Sequence, residues 1–188
     1  MSGLLEIGTP DAPVLRKYAK EPIALNREWT YPQSGPEDRR NLRHKPNGFW
    51  VSVLSQHEND IDWADFCRGE DFNTDQLAVE HEVVMDSAAR ILHLSGRQDL
   101  LDFIRQYGYA PYADLGVDGG LSDYVMPDWP RVAGEYQGIV IAPYVWSARL
   151  TVDYYYPWDC ASGAIWDLDA IREIRVLSDQ GSEQKESA

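Results

Sequence analysis

Cysteine, histidine and basic side chains are scarce in this chain, and each scarcity removes a class of function. The two cysteines, Cys67 and Cys160, make no spaced metal motif. One disulfide would use both, and reduced thiols of a cytosolic protein are the expectation. The four histidines, His44, His57, His81 and His93, show no His-x-x-x-His or His-x-His spacing, which argues against zinc. Lys and Arg number 17 against 31 Asp and Glu, a net charge of −14. That field repels nucleic acid and anionic membranes except at a local basic patch. No apolar run approaches the roughly 20 residues a membrane helix needs. Met1 to Glu6 lack a basic stretch followed by an apolar one, so secretion is not expected and a cytoplasmic location is. Gly-x-Gly-x-x-Gly, Gly-x-x-x-x-Gly-Lys and Gly-x-Ser-x-Gly are all missing, which disfavours Rossmann, P-loop and α/β-hydrolase chemistry.

What is present is a folded composition, 44% hydrophobic and 12% aromatic. Residues 1–13 read as a loose leader, 14–177 as one globular domain and 178–188 as a disordered polar tail. Val14 to Tyr18 reads as a strand. Asn47-Gly48 marks the entry to a second, Phe49 to Leu54, in which Trp50 and Ser52 share a face. Asp60 to Cys67 reads as a short helix, and residues 69–78 as a loop. Glu80-His81-Glu82 reads as a solvated segment. Ala89 to Leu94 is a strand, and Ser95 suits the cap of a helix through Tyr107 that Gly108 stops. Residues 108–128 form a long loop, followed by a helix from Asp128 with Pro130 in its first turn. Gly138 to Tyr144, Val152 to Tyr156 and Ile171 to Leu177 read as strands. Short strands with few helices and no regular alternation predict an α+β fold with mostly antiparallel sheet.

The densest chemistry lies at Pro157-Trp158-Asp159-Cys160-Ala161-Ser162-Gly163-Ala164-Ile165-Trp166-Asp167. Rings supply walls and small residues admit a ligand to the backbone. Arg39-Arg40-Asn41-Leu42-Arg43-His44-Lys45 is either a solvated loop or a local site for phosphate. Trp158 and Trp166 are also at home in a core, Asp159 suits a turn cap, and Cys160 suits a small buried hydrophobe.

Gly48-Phe49-Trp50-Val51-Ser52 resembles the Gly-x-aromatic-x-Ser/Thr strand of many ADP-ribosyltransferase superfamily members. The layout is similar over most of residues 14–177: an early strand with Arg16, Lys17 and Tyr18, then this strand, helices and late strands. The resemblance implies split, mostly antiparallel sheets with a few packed helices around a cleft that holds NAD. It also implies transfer of ADP-ribose to a protein, nucleic acid or small molecule. Carried over by position, Trp50 stacks on nicotinamide and Ser52 bonds its carboxamide or the ribose. Asp159 is then the catalytic carboxylate, Gly48, Tyr144 and Trp166 line the cleft, and Arg16 or Arg43 meets the diphosphate. The superfamily's late Glu-x-Glu or Gln-x-Glu is missing here, and Asp159, Asp167 and Glu173 are the acids left in that region. The fold with altered or lost activity is therefore also open. Two readings from other classes stand beside it. One is an acidic, aromatic module that binds a partner protein by imitating nucleic acid charge. The other is a carbohydrate-active protein, since aromatic platforms with paired acids also suit sugars.

Overall fold

Alternation of inward and outward side chains builds the clearest strand. In Val79–Met85, Val79, His81, Val83 and Met85 are buried while Glu80, Glu82 and Val84 are half-buried. The computed structural model describes residues 3–9, 12–38, 43–54, 60–112 and 124–179. Its elements are β1 (Gly3–Leu4), β2 (Leu15–Ala19), β3 (Phe49–Val53), α1 (Trp63–Gly69), β4 (Val79–Met85), β5 (Ile91–Leu94), α2 (Arg97–Tyr107), β6 (Gly108–Tyr109), β7 (Met126–Pro127), α3 (Trp129–Ala133), β8 (Gly138–Ile141), β9 (Ser162–Ile165) and β10 (Ile171–Asp179). Eight strands form one sheet in the order β1-β5-β8-β9-β3-β2-β4-β10, and β6 pairs with β7 apart from it. Every neighbouring pair is antiparallel except β5 with β8. The architecture is α+β and mostly antiparallel, with the eight strands hydrogen-bonded in one run rather than as two separate sheets.

Helix α2 provides the crossover between the parallel strands β5 and β8. Its stripe of Leu100, Phe103 and Tyr107 is buried, and Phe103 packs on Trp129 of α3 at 5.7 Å and on Tyr154 at 5.3 Å. Its cap differs from expectation. Gly96 holds the cap position, and Ser95 instead donates from both N–H and Oγ to Asp99 Oδ2. The carboxylate of the first turn thus reaches back to tie the chain entering the helix.

Three further expectations change. Val152 to Tyr156 is a 3₁₀ turn at Asp153–Tyr155, not a strand. Tertiary hydrogen bonds hold it: Tyr154 donates its OH to Leu100 C=O, and Val145 N–H donates to the Tyr155 hydroxyl. Residues 3–5 are not loose. Gly3 and Leu4 pair with β5, and Leu5 is buried with its N–H on Ile91 C=O. Glu80-His81-Glu82 is not a solvated segment but the middle of β4. His81 is wholly buried, its Nε2 accepting from Ile23 N–H and its Nδ1–H donating to Lys17 C=O. The ring staples the 21–25 segment across β2 and β4. His81→Leu is expected to cost about 2 kcal/mol by stranding both main-chain groups, read as a lower urea midpoint at unchanged m-value.

Residues 39–42 of the basic run, 113–123 of the long loop and 180–188 of the tail lie outside the described residues. No helix among the described residues is long and apolar enough to cross a membrane.

Candidate functional site

The sheet opens where the ladder between β2 and β3 ends. Leu15 pairs with Val53 and Arg16 with Ser52, and no further pair follows. Leu54 N–H donates to Val14 C=O, which sets the phase of the ladder. Antiparallel alternation then turns the main-chain groups of Ser52 and Trp50 toward β2. Tyr18 is the residue Trp50 would meet in this register, and that pair is not made. Beyond Arg16, β2 stays on β4, while Phe49 to Val51 stay on β9. A pocket of about 400 Å³ fills the gap, with Arg16 and Tyr18 on one bank, Trp50 and Ser52 on the other, and Lys45 and Asp159 at one end.

Register explains why these side chains converge. Glu82, Arg16, Ser52 and Ser162 are successive partners across β4, β2, β3 and β9, so they form one polar row on one face. Lys17 falls on the other face, where its Nζ lies 5.2 Å from the Phe49 ring centroid and burial lowers its pKa. Arg16 is already engaged: its Nε donates to Glu80 at 2.9 Å, and Nη1 lies 3.9 Å from Glu82. Ser52 Oγ accepts from Trp63 N–H at 2.9 Å, fixing the start of α1 beside the cap residue Asp62. Ser162 donates to Cys160 C=O.

Asp159 is held from two sides, with Arg149 Nη2 at 3.4 Å and Lys45 Nζ at 4.0 Å. Burial lowers the pKa of Lys45, against the opposing pull of Asp159 and Cys160. Burial also pushes the Cys160 thiol up to about 12, so it keeps its proton at neutral pH and is no ready nucleophile. Burial, with Asp62 and Glu80 nearby, raises the Tyr18 phenol as well.

A second hollow of about 570 Å³ shares Lys45 and Trp50 with the first and adds Arg43, His44 and Gly48. Arg43 has no ion-pair partner among the described residues; its C=O accepts from Trp129 Nε1. His44 Nε2 meets the Tyr124 hydroxyl.

Arg16, Trp50, Ser52 and Asp159 are therefore brought together, with Arg43 and Gly48 next door. Tyr144 and Trp166 are not. Tyr144 is buried with its OH donated to Trp158 C=O, and Trp166 donates its indole N–H to Tyr136 C=O while packing on Trp129. Each ring spends its polar atom on the chain's own backbone, which makes it a strut rather than a cleft wall. Lys45 and Trp63 also line this pocket. Lys45 stood out in the sequence only as the end of the basic run, and Trp63 only as part of the short helix from Asp60 to Cys67.

Comparisons with protein-family models, with curated proteins and with solved structures each find no match.

Proposed function

We propose that the pocket between β2 and β3 binds NAD, and that the protein is an ADP-ribosyltransferase-like enzyme. It breaks the nicotinamide–ribose bond and passes ADP-ribose to an acceptor. The observation that carries this reading is the convergence of Arg16, Trp50, Ser52 and Asp159 on one pocket where two strands part. In this reading the parting is the cleft, and the strands on its two sides are the halves of a split sheet.

The residues suit the molecule. The two hollows, about 400 and 570 Å³, are each of ligand-pocket size and meet at Lys45 and Trp50, room for a two-part ligand. Trp50 offers a ring face, and its N–H and C=O, turned to the gap, match the acceptor and donor of a carboxamide. Arg43 is the cation for the diphosphate, because Arg16 is already held by Glu80 and Glu82. When bound, NAD supplies a glycosidic bond whose electron pair leaves with nicotinamide. The positive charge left on the ribose is met by a lone pair of the acceptor, which then gives up a proton. Among the described residues Asp159 is the one acid lining the pocket, and it stabilises that charge; Arg149 fixes its orientation.

NAD at about a hundred times its Kd should stabilise the fold by about 2.7 kcal/mol, raising Tm by roughly 5–10 °C. If millimolar NAD moves neither Tm nor tryptophan fluorescence, the reading is lost. Arg43→Ala is expected to weaken NAD about tenfold by titration calorimetry, the loss of one exposed charge-assisted contact.

A second reading, a non-enzymatic module for a partner protein, draws on the exposed rings of Trp146 and Tyr156 and on exposed Leu150. Partner capture that survives Asp159→Ala in a protein indifferent to NAD selects it.

A further inference from the structure

Lys45 sits where a ligand's cation belongs. Its Nζ lies 5.2 Å from the Trp50 ring centroid and 5.8 Å from that of Trp158. The two rings meet edge to face, 5.1 Å apart at 61°, and Asp159 Oδ2 closes a third side at 4.0 Å from the ammonium. Two indoles and a carboxylate around one positive charge form a cation cage. Trp158 is wholly buried, with an indole N–H that finds no partner among the described residues. The ammonium lies over that ring, and Lys45 lines the pocket while Trp158 does not.

We infer that Trp50, Trp158 and Asp159 are a binding site for a flat organic cation of the pyridinium type, and that Lys45 is its resident plug. The site is loaded by exchange. Lys45 lines both hollows, so the second one gives its side chain a place to go when it leaves the cage. The second hollow holds Arg43 and His44, and a displaced Lys45 adds a further positive charge to it. A ligand that carries a cationic ring and an anionic tail therefore gains twice: its ring replaces the ammonium in the cage, and its tail meets the ammonium that left. An anion alone has no reason to dislodge Lys45, and a simple cation is opposed by it. This deepens the NAD reading by naming the cage as the place of the charged ring, and it rests on that reading for the ring's identity.

The test uses 1-methylnicotinamide, methylated on the ring nitrogen, which has the charge and the ring but no ribosyl bond, with neutral nicotinamide as its matched control. Binding is followed by quenching of tryptophan fluorescence in wild type and in Lys45→Ala. The expected result is that Lys45→Ala binds 1-methylnicotinamide at least tenfold more tightly than wild type, while neutral nicotinamide gains less than threefold. Trp50→Ala in the same background should remove the gain. Equal affinity for the cation in the two folded proteins overturns the cage, and so does a gain as large for the neutral ring, which would mean only an opened void. If Lys45→Ala lacks a cooperative melt, Lys45→Gln makes the same comparison, with a gain of threefold or more expected and none overturning the proposal. The two readings fail separately. Cation preference without release of nicotinamide from NAD upholds the cage and sinks the transferase; release without cation preference does the reverse.

Discussion

Asp159→Ala should slow the release of nicotinamide from NAD by about 10²–10³-fold, the usual scale for removing one group aimed at transition-state charge. The carboxylate faces the charged ring in bound NAD and the ribose once the positive charge moves there. Its loss therefore falls on NAD affinity as well as on kcat, with the larger share on kcat. Asp159→Asn is the sharper form of the experiment. It keeps the shape and a hydrogen-bonding oxygen for Arg149 while deleting the charge, so a rate as low as that of the alanine variant assigns the effect to charge. Removing the carboxylate also frees Arg149 and Lys45, so the melting temperature of each variant is needed beside its rate. A folded Asp159→Asn protein that releases nicotinamide at the wild-type rate would remove Asp159 from the chemistry.

The largest structural effect is expected at Gly163→Val. A Cβ placed on Gly163 would lie 2.6 Å from Ile139 C=O and 2.7 Å from Val140 Cγ2. The first contact is backbone, and it cannot yield easily, because β9 is bonded to β8 on one side and to β3 on the other. Overpacking of this kind costs about 3 kcal/mol or more, a fall in Tm of roughly 6–12 °C for a chain of this size. Urea unfolding checks it, with Gly163→Ala expected between wild type and the valine variant. An unchanged midpoint would mean that β9 does not run between those strands.

Gly163 also shows why part of the fold was hidden in the sequence. Ser162-Gly163-Ala164-Ile165 is buried on both faces, and at Gly163 the neighbouring backbone comes too close for a Cβ. Such a strand has no alternation to detect, and its small residues look like a turn. The stretch was legible as important but not as a central strand. β4 was obscured differently: a buried His81 broke its apolar pattern, and only the hydrogen bonds to Ile23 and Lys17 explain how a histidine sits there. α2, α3, β3 and β10 were legible because the apolar stripe of α2, the Asp128 cap of α3 and the alternation of the strands are local in the sequence. In the pocket, Trp50 and Ser52 were legible as a pair because period two puts them on one face. Their meeting with Arg16 and Asp159 depends on strand register, which no local pattern reveals. The pairing of Arg16 with Glu80, which leaves Arg43 as the freer cation, is likewise a property of register.

The order of the sheet bears on how the chain reaches this state. Among its neighbours only β8 with β9 and β2 with β3 follow one another in sequence; β3 waits for β9, and β4 waits for β10. During synthesis the β3-β2-β4 group therefore leaves the ribosome with open edges on β3 and β4, and the pieces that close them, residues 162–179, follow only after β5 to β8. Loop closure over such spans makes folding slow, and the exposed edges of β3 and β4 are the places where a nascent chain must be kept from pairing with its neighbours. The pocket forms late for the same reason, since one bank rests on β9 and the other on β4.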